Sequence, residues 1–203
     1  MDNNYWNNFY KKFNLKKPSS FARFVLKKLK KNSLLLEVGC GNGRDTFFFL
    51  KNNIKCTAYD TSKIAIYQNR KLFNHIFYSK NICKKSKIKK NHFDYLYARF
   101  FLHAITEKEQ KIFFINSFNL LKKNGSLFLE FRTIKDMLIK KGKKISSNER
   151  ITDHYRRFID PFELIKELNI NFNFKVIFFK TSNRFAIFNK HKPHVCRLIL
   201  QKI

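Results

Sequence analysis

The chain has 203 residues, 44% of them hydrophobic, enough to bury about 70% of its unfolded surface in one core and too many for a disordered or fibrous chain. Forty-three basic residues against 14 acidic ones leave a formal charge of +29, while no apolar run approaches the ~20 residues of a membrane-spanning helix and the opening segment does not read as a signal peptide. Cys40, Cys56, Cys83 and Cys196 form no closely spaced pair, which argues against a disulfide framework or a zinc ribbon and for a reducing cytoplasm.

No repeat or Gly/Ser/Pro-rich linker divides the chain, so residues 1–203 read as one domain. Residues 1–31 read as an aromatic segment and then a helix, an N-terminal cap. Pro18-Ser19-Ser20 supplies the helix start, and Phe21, Phe24, Val25 and Leu29 follow at helical spacing. Tyr5, Trp6, Phe9 and Tyr10 read either as a lid over a ligand or as the core-facing side of an amphipathic helix. The pattern then alternates: strand Leu34–Val38, helix Arg44–Lys51, strand Ile54–Tyr59, helix Thr61–Phe73 with Ser62 as cap, weak strand His75–Tyr78, and strand Phe93–Ala98. Thr106-Glu107-Lys108-Glu109 is a capping box that opens a helix to about Leu121, ended by Lys123-Asn124-Gly125. Strand Ser126–Arg132 follows. Asp160-Pro161 starts a second well-marked helix, and Phe172–Lys180 and Val195–Gln201 are the last strands. Strands alternating with helices predict a parallel sheet covered on both faces.

The first strand runs into Glu37-Val38-Gly39-Cys40-Gly41-Asn42-Gly43-Arg44. Glycines at alternate positions allow a tight turn and close approach of a ligand to the backbone. Asp60 ends the second strand, where a carboxylate can accept both hydroxyls of a ribose. The pair predicts a nucleoside at the carboxyl edge of the sheet. The spacing is neither the GxGxxG of dinucleotide enzymes nor a phosphate loop, since no Gly-Lys-Ser/Thr follows.

With these residues the chain resembles the class I S-adenosylmethionine-dependent methyltransferases. Leu34–Gly43 is similar to that family's first motif and Ala58-Tyr59-Asp60 to its second. Asn81-Ile82 stands where the family often has an acid and an apolar residue beside the adenine, and Asn for Asp is a departure. Phe93–His103 resembles the fourth-strand motif, and Lys122-Lys123-Asn124-Gly125-Ser126 the Lys-Pro-Gly-Gly turn with its Pro lost. The resemblance covers residues 34–132 by motif. It implies a Rossmann-like, doubly wound, three-layer α/β fold with seven strands in the order 3-2-1-4-5-7-6, the seventh antiparallel. It also implies S-adenosyl-L-methionine as cofactor, with no metal. Its binding residues would be Glu37, Gly39, Cys40, Gly41, Gly43, Arg44, Asp60, Thr61, Asn81, Ile82 and Arg99.

An acceptor should sit where strands four and five end. Arg99 and His103 follow strand four, and Glu130 and Arg132 end strand five, Glu130 reading as a base or, preferably, as the ion-pair partner of Arg132. Residues 133–153 lack a clear element, which suggests a substrate lid over 133–158 or a loose loop. They lead into His154-Tyr155-Arg156-Arg157-Phe158, residue types suited to gripping an anion. His103, Arg99, Arg132, His154, Tyr155 and Arg156 are the candidate acceptor-side residues; Ser20 and Phe21 could line the entrance. Six of the ten arginines, Arg44, Arg99, Arg132, Arg156, Arg157 and Arg184, fall near this region, and arginine holds carboxylate or phosphate through a planar fork.

The lysines are weaker witnesses. A charge this basic points to nucleic acid. Yet Lys, Asn, Ile and Phe abound throughout, as A/T-rich codons would produce, and the densest run, 84–90, reads as a solvated loop. The favoured expectation is methyl transfer to a small phosphorylated, carboxylated or nucleotide-linked metabolite. A looser similarity to methyltransferases of bacterial capsule and other surface-polysaccharide precursors adds a phosphoramidate or sugar nucleotide as candidates. RNA methylation is the alternative that takes the charge at face value, although no Asn-Pro-Pro-Tyr-type motif or RNA-binding module is present. A non-catalytic protein that binds S-adenosylmethionine is the third. His191 and His194 as a metal pair lack a third ligand and have Pro193 between them.

Overall fold

The computed structural model describes residues 3–12, 17–84, 89–188 and 191–203. Six helices, α1 (Asn3–Lys12), α2 (Ser20–Leu26), α3 (Arg44–Lys51), α4 (Lys63–Arg70), α5 (Glu107–Leu120) and α6 (Pro161–Asn171), accompany ten strands. Seven of these, β1 (Leu34–Val38), β2 (Lys55–Asp60), β3 (Phe77–Ser79), β4 (Phe93–Arg99), β5 (Leu121–Arg132), β9 (Phe174–Ser182) and β10 (Val195–Lys202), form one sheet in the order β3-β2-β1-β4-β5-β10-β9. β10 runs antiparallel to both β5 and β9, so the sheet has the predicted Rossmann-like order, with its last strand reversed. None of the described helices is long and apolar enough to cross a membrane.

The two faces are covered by different helices. Phe21, Ala22 and Val25 of α2 and Phe49 of α3 pack on Leu35, Tyr97, Phe128 and Ile199. Phe113, Phe114 and Leu120 of α5 and Leu164 and Leu168 of α6 pack on the opposite face, against Leu36, Leu96, Leu127 and Leu198. Alternation along each strand sends successive residues to opposite faces, which is why continuous apolar runs, rather than period-two patterns, mark β1 and β5. The caps hold the predicted helix starts. Ser19 accepts from the Ala22 N–H, Ser62 from Ala65, and Thr106 and Glu109 close the capping box. Asp160 accepts from the Phe162 N–H before Pro161.

Two expectations change. β5 begins at Leu121, not Ser126, because Leu121 pairs with Phe93 before residues 122–125 bulge out. Lys122 there reaches Asp94 at 2.7 Å, and Asn124 takes φ 63°. The stretch after β5 is also built. A short 3-10 turn, Met137–Lys140, is followed by a three-stranded antiparallel sheet of β6 (Lys143–Lys144), β7 (Glu149–Ile151) and β8 (Tyr155–Arg157). Strands of two and three residues are too short to show a period in sequence. Of the basic run, Lys84, Lys89 and Lys90 are exposed, and residues 85–88 lie outside the described residues.

Candidate active site

The glycine turn and the end of β2 are one unit. Gly39, Gly41 and Gly43 take φ of 71°, 52° and 72°. At Gly41 the glycine is required twice over: its φ is left-handed, and a Cβ would lie 2.3 Å from the Tyr10 hydroxyl. Asp60 accepts from the Gly41 N–H on Oδ2 and from the Ser62 N–H on Oδ1, both at 2.8 Å. Burial pushes its carboxyl up, and those N–H donors, with that of Thr61, act against the push. Asn69 of α4 donates to the Gly41 carbonyl at 2.8 Å, pinning the turn from below.

Glu37 and Asp45 form a buried acidic pair under this turn. The Thr46 hydroxyl donates to Glu37. Burial, then the charge of Asp45, raises the Glu37 carboxyl well above its ordinary range. Asp45 collects the Ser19 N–H and hydroxyl, both at 2.7 Å, and the Tyr97 hydroxyl at 2.8 Å. These bonds tie α2, α3 and β4 together beneath the turn. Glu37 is thus engaged with α3, and Cys40 is buried with its thiol raised, chiefly by burial. Arg44, half-buried at the start of α3, has its guanidinium lowered by burial and then by Arg99; the two cations share one region. The Asn81 side chain accepts from the Cys83 N–H at 2.8 Å, and Ile82 is buried.

The ends of β4 and β5 are built around a strained residue. Phe100, the residue after β4, has φ 55°, a costly conformation for an aromatic side chain. Its N–H donates to the Glu130 carbonyl at 2.7 Å, and its ring lies 4.2 Å from the Arg99 guanidinium and 5.6 Å from that of Arg132. Its ring also meets His103 edge-on at 5.1 Å. Arg132 donates to Asp136 at 2.7 Å, and Arg156 to Asp153 at 2.7 Å and to the Thr152 hydroxyl at 2.9 Å.

His103 is buried, and burial followed by Arg132, Arg156 and His154 drives its imidazole well below the ordinary range. His154 is lowered to about 4, by burial and then Arg156, against the opposing pull of Asp153, whose oxygen lies 3.3 Å from Nδ1. Both imidazoles are therefore neutral near pH 7. Among the described residues five buried side-chain polar atoms lack a hydrogen-bond partner. Four of them are here: His103 Nδ1, Arg132 Nε and both ring nitrogens of His154. Unsatisfied buried polar groups are rare and costly; their convergence on one spot marks a place made for a polar ligand.

α1 spans both halves. Asn7 accepts from the Ser62 hydroxyl at 2.7 Å, Tyr10 packs on Gly41, and the Tyr5 hydroxyl donates to Asp153 at 2.5 Å. The Tyr5 and Trp6 rings lie 4.3 and 4.9 Å from the His154 ring. Burial, followed by Asp60, raises the Tyr10 phenol well above its ordinary value.

Several assignments move. Glu130 pairs with Arg99 at 2.9 Å and with Arg197 at 2.8 Å, not with Arg132, because Asp136 takes Arg132. Arg157 turns to the Ile105 carbonyl and to Gln110, Tyr155 donates to Glu149 on the neighbouring strand, and Arg184 lies exposed. Phe21 is fully buried against Tyr97 at 5.1 Å rather than lining an entrance, and Ser20 is bonded to Arg197 and the Phe185 carbonyl. His194 meets the Thr133 hydroxyl at 2.6 Å. Among the described residues no group of three metal-ligand types converges. Asn69, Asp45 and Arg197 had no motif to flag them.

Comparison with known proteins agrees with this architecture. A family described as a methyltransferase domain matches residues 36–127. No curated protein matches the chain. An S-adenosylmethionine-dependent methyltransferase from Methanosarcina mazei superposes with a TM-score of 0.72 at 18% identity, over 89% of this chain and 97% of the other. A 1,6-didemethyltoxoflavin-N1-methyltransferase from Burkholderia thailandensis, solved with that substrate and S-adenosylhomocysteine, gives 0.68 at 16%, over 90% and 76%. A [4+2]-cyclase gives 0.69 at 15%, over 93% and 84%. At such identities the likeness is one of fold.

Proposed function

We infer that this chain, which carries a methyltransferase domain of class I architecture over residues 36–127, catalyses S-adenosylmethionine-dependent methyl transfer to a small anionic acceptor. One observation carries the acceptor class: Arg132 and Arg156 flank two neutral, buried imidazoles, and Arg132 Nε, His103 Nδ1 and His154 Nε2 have no hydrogen-bond partner. A phosphate or carboxylate would accept from Arg132 Nε, from Arg156 and from the one N–H that a neutral imidazole carries. Phosphorylated, carboxylated or nucleotide-linked metabolites fit, including sugar-nucleotide or phosphoramidate precursors of a surface polysaccharide. A fold neighbour that holds a small heterocycle supports an acceptor of small size.

The residues present suit the cofactor. Asp60 is a half-buried carboxylate with lone pairs left for ribose hydroxyls, and Asn69 holds the glycine turn at Gly41, over which Tyr10 packs. Asn81 and Ile82 would flank the adenine, and Arg44 and Arg99 would meet the amino-acid carboxylate. Bound there, S-adenosylmethionine supplies an electrophilic methyl group. The chain supplies alignment, which is worth several kcal/mol in a bimolecular displacement. His154 or His103, being neutral, can take the proton of an attacking hydroxyl or ammonium-derived amine. We assign α1 as a cap and residues 133–158 as a substrate lid of the same single domain, joined by the Tyr5–Asp153 bond. The four buried free thiols suit a reducing cytoplasm.

The test is transfer of label from methyl-labelled donor into two acceptor pools, total RNA and a nuclease-treated low-molecular-weight extract. Label in the small pool, lost with Arg132→Ala, is the expected result. Label only in RNA would overturn the acceptor class, and no label with donor bound would overturn catalysis.

A further inference from the structure

The face of β2 and β3 opposite α4 carries no helix among the described residues. In a doubly wound sheet each parallel crossover normally brings a helix to cover the strands. Here the described parts of the β3–β4 crossover, 80–84 and 89–92, are irregular. What remains is a cavity of about 350 Å³, lined by Thr57, Tyr59, Tyr78, Lys80, Lys89 and His92 with Ile82, Phe93 and Leu120 at its floor. None of Arg99, His103, Arg132, His154 or Arg156 lines it, and of the residues assigned above to the cofactor it shares only Ile82, at its floor.

Its chemistry is specific in two respects. Tyr59 and Tyr78 are register partners on adjacent strands, their rings edge-on at 6.1 Å, and Tyr78 is 42% exposed. Tyr59 packs against the core, so the exposed Tyr78 ring, with the Arg70 guanidinium 5.9 Å from it, is the surface on which a base could stack. The lining also holds two lysines and a histidine and no carboxylate. The Lys80 ammonium lies 5.0 Å from the Tyr59 ring; that side chain is flexible enough to yield the ring to a base and take the attached phosphate.

We propose that this cavity is a second ligand site, for a nucleoside phosphate: the base stacked on Tyr78 and meeting the Tyr59 ring edge-on, the phosphate held by Lys80, Lys89 and His92. Its volume suits a single nucleotide unit. The unit can come as a free mononucleotide or as part of a single strand, and the two sources are separable by experiment.

Binding would be measured by calorimetry with uridine monophosphate and by fluorescence anisotropy with a labelled single-stranded U10 RNA. S-adenosylhomocysteine would be present at saturation, so that the nucleoside pocket at Asp60 is filled. Failure of S-adenosylhomocysteine to bind would count against the methyltransferase reading and leave this one standing, to be read with the ligands alone. Tyr78→Ala and Lys80→Ala, both near the surface, should each weaken binding about 10-fold, and a double variant more, with an unchanged melting temperature. Saturable binding of the mononucleotide with that loss assigns a free nucleotide. Binding of the oligomer alone, with the same loss, assigns a strand. Binding untouched by Tyr78→Ala and displaced equally by heparin would be charge adhesion only and would overturn the site, as would no binding of either probe.

Discussion

Arg99 Nε donates to Glu130 Oε1 at 2.9 Å, and the other oxygen of the same carboxylate takes Arg197 at 2.8 Å. Glu130 has no exposed surface. Burial alone would lower the Arg99 guanidinium, but Glu130 holds it above its ordinary value. The triad fixes the Arg99 head beside Phe100 at the mouth of the cleft, and Arg197 anchors the far side through Ser20 at 2.9 Å and the Phe185 carbonyl at 3.1 Å. Removing the central charge strands two buried cations. Glu130→Gln should therefore cost about 3 kcal/mol of stability, read as a lower urea midpoint. A midpoint equal to that of the parent protein would show that the arginines do not depend on Glu130.

Asp60 does two jobs at once. It holds the Gly41 and Ser62 N–H groups in the chain itself, and in the proposed function its remaining lone pairs take the ribose hydroxyls. Asp60→Ala should lower the affinity for S-adenosylhomocysteine at least 100-fold, about 3 kcal/mol, the value of one or two charge-assisted hydrogen bonds. Asp60→Asn, which keeps one acceptor oxygen, should lose less. Calorimetric titration of both variants checks this; equal, parent-like affinities would remove Asp60 from the ribose.

The fold was legible because its signals are local. Alternate glycines, the acid closing β2, the capping box at Thr106 and the Asp160-Pro161 start each act within a few residues, and the sheet order followed from the family likeness they carry. The cluster of basic and histidine side chains at the ends of β4 and β5 was legible in composition but not in pairing. That Arg132 would choose Asp136 over Glu130, or that Arg157 would turn to Gln110, depends on where β8 and β10 bring distant residues. Arg197 was invisible for the same reason, because its partner lies 67 residues away. The strain at Phe100 left no trace either, since a left-handed aromatic is dictated by its surroundings and not by its own preference.

His154 links the site to pH. Its folded value, about 4, lies below the unfolded value near 6.5. Between those values the unfolded chain binds more protons than the folded one, so stability is held above about pH 6.5 and is lost as pH falls towards 4. His103, lowered for the same reasons, adds to this slope. Asp153 does not, because its hydrogen bonds from Tyr5 and Thr152 keep its carboxyl far below the usual range against the push of burial. The raised carboxyls of Glu37 and Asp60 act in the opposite sense, so the histidine contribution is read by difference: relative to pH 7, urea midpoints down to pH 4 should fall less in His154→Gln than in the parent protein. A slope unchanged in that variant would mean that the acid loss arises elsewhere.

Arg132 and Arg156 should act on the acceptor and not on the cofactor. Each is held by one acid, Asp136 or Asp153, so each keeps its place while presenting further N–H donors to the histidine cluster, Arg132 through an Nε that has no other partner. Loss of one charge-assisted contact costs roughly 1.5–3 kcal/mol. With an acceptor in hand, Arg132→Ala or Arg156→Ala should raise its KM about 10- to 100-fold while donor affinity stays within a factor of two. Arg132→Lys, which keeps charge but lacks the planar fork, should recover only part of the loss. If donor affinity falls instead and acceptor KM does not change, these arginines belong to the cofactor half, and the anion they are built for is the amino-acid carboxylate of the methyl donor.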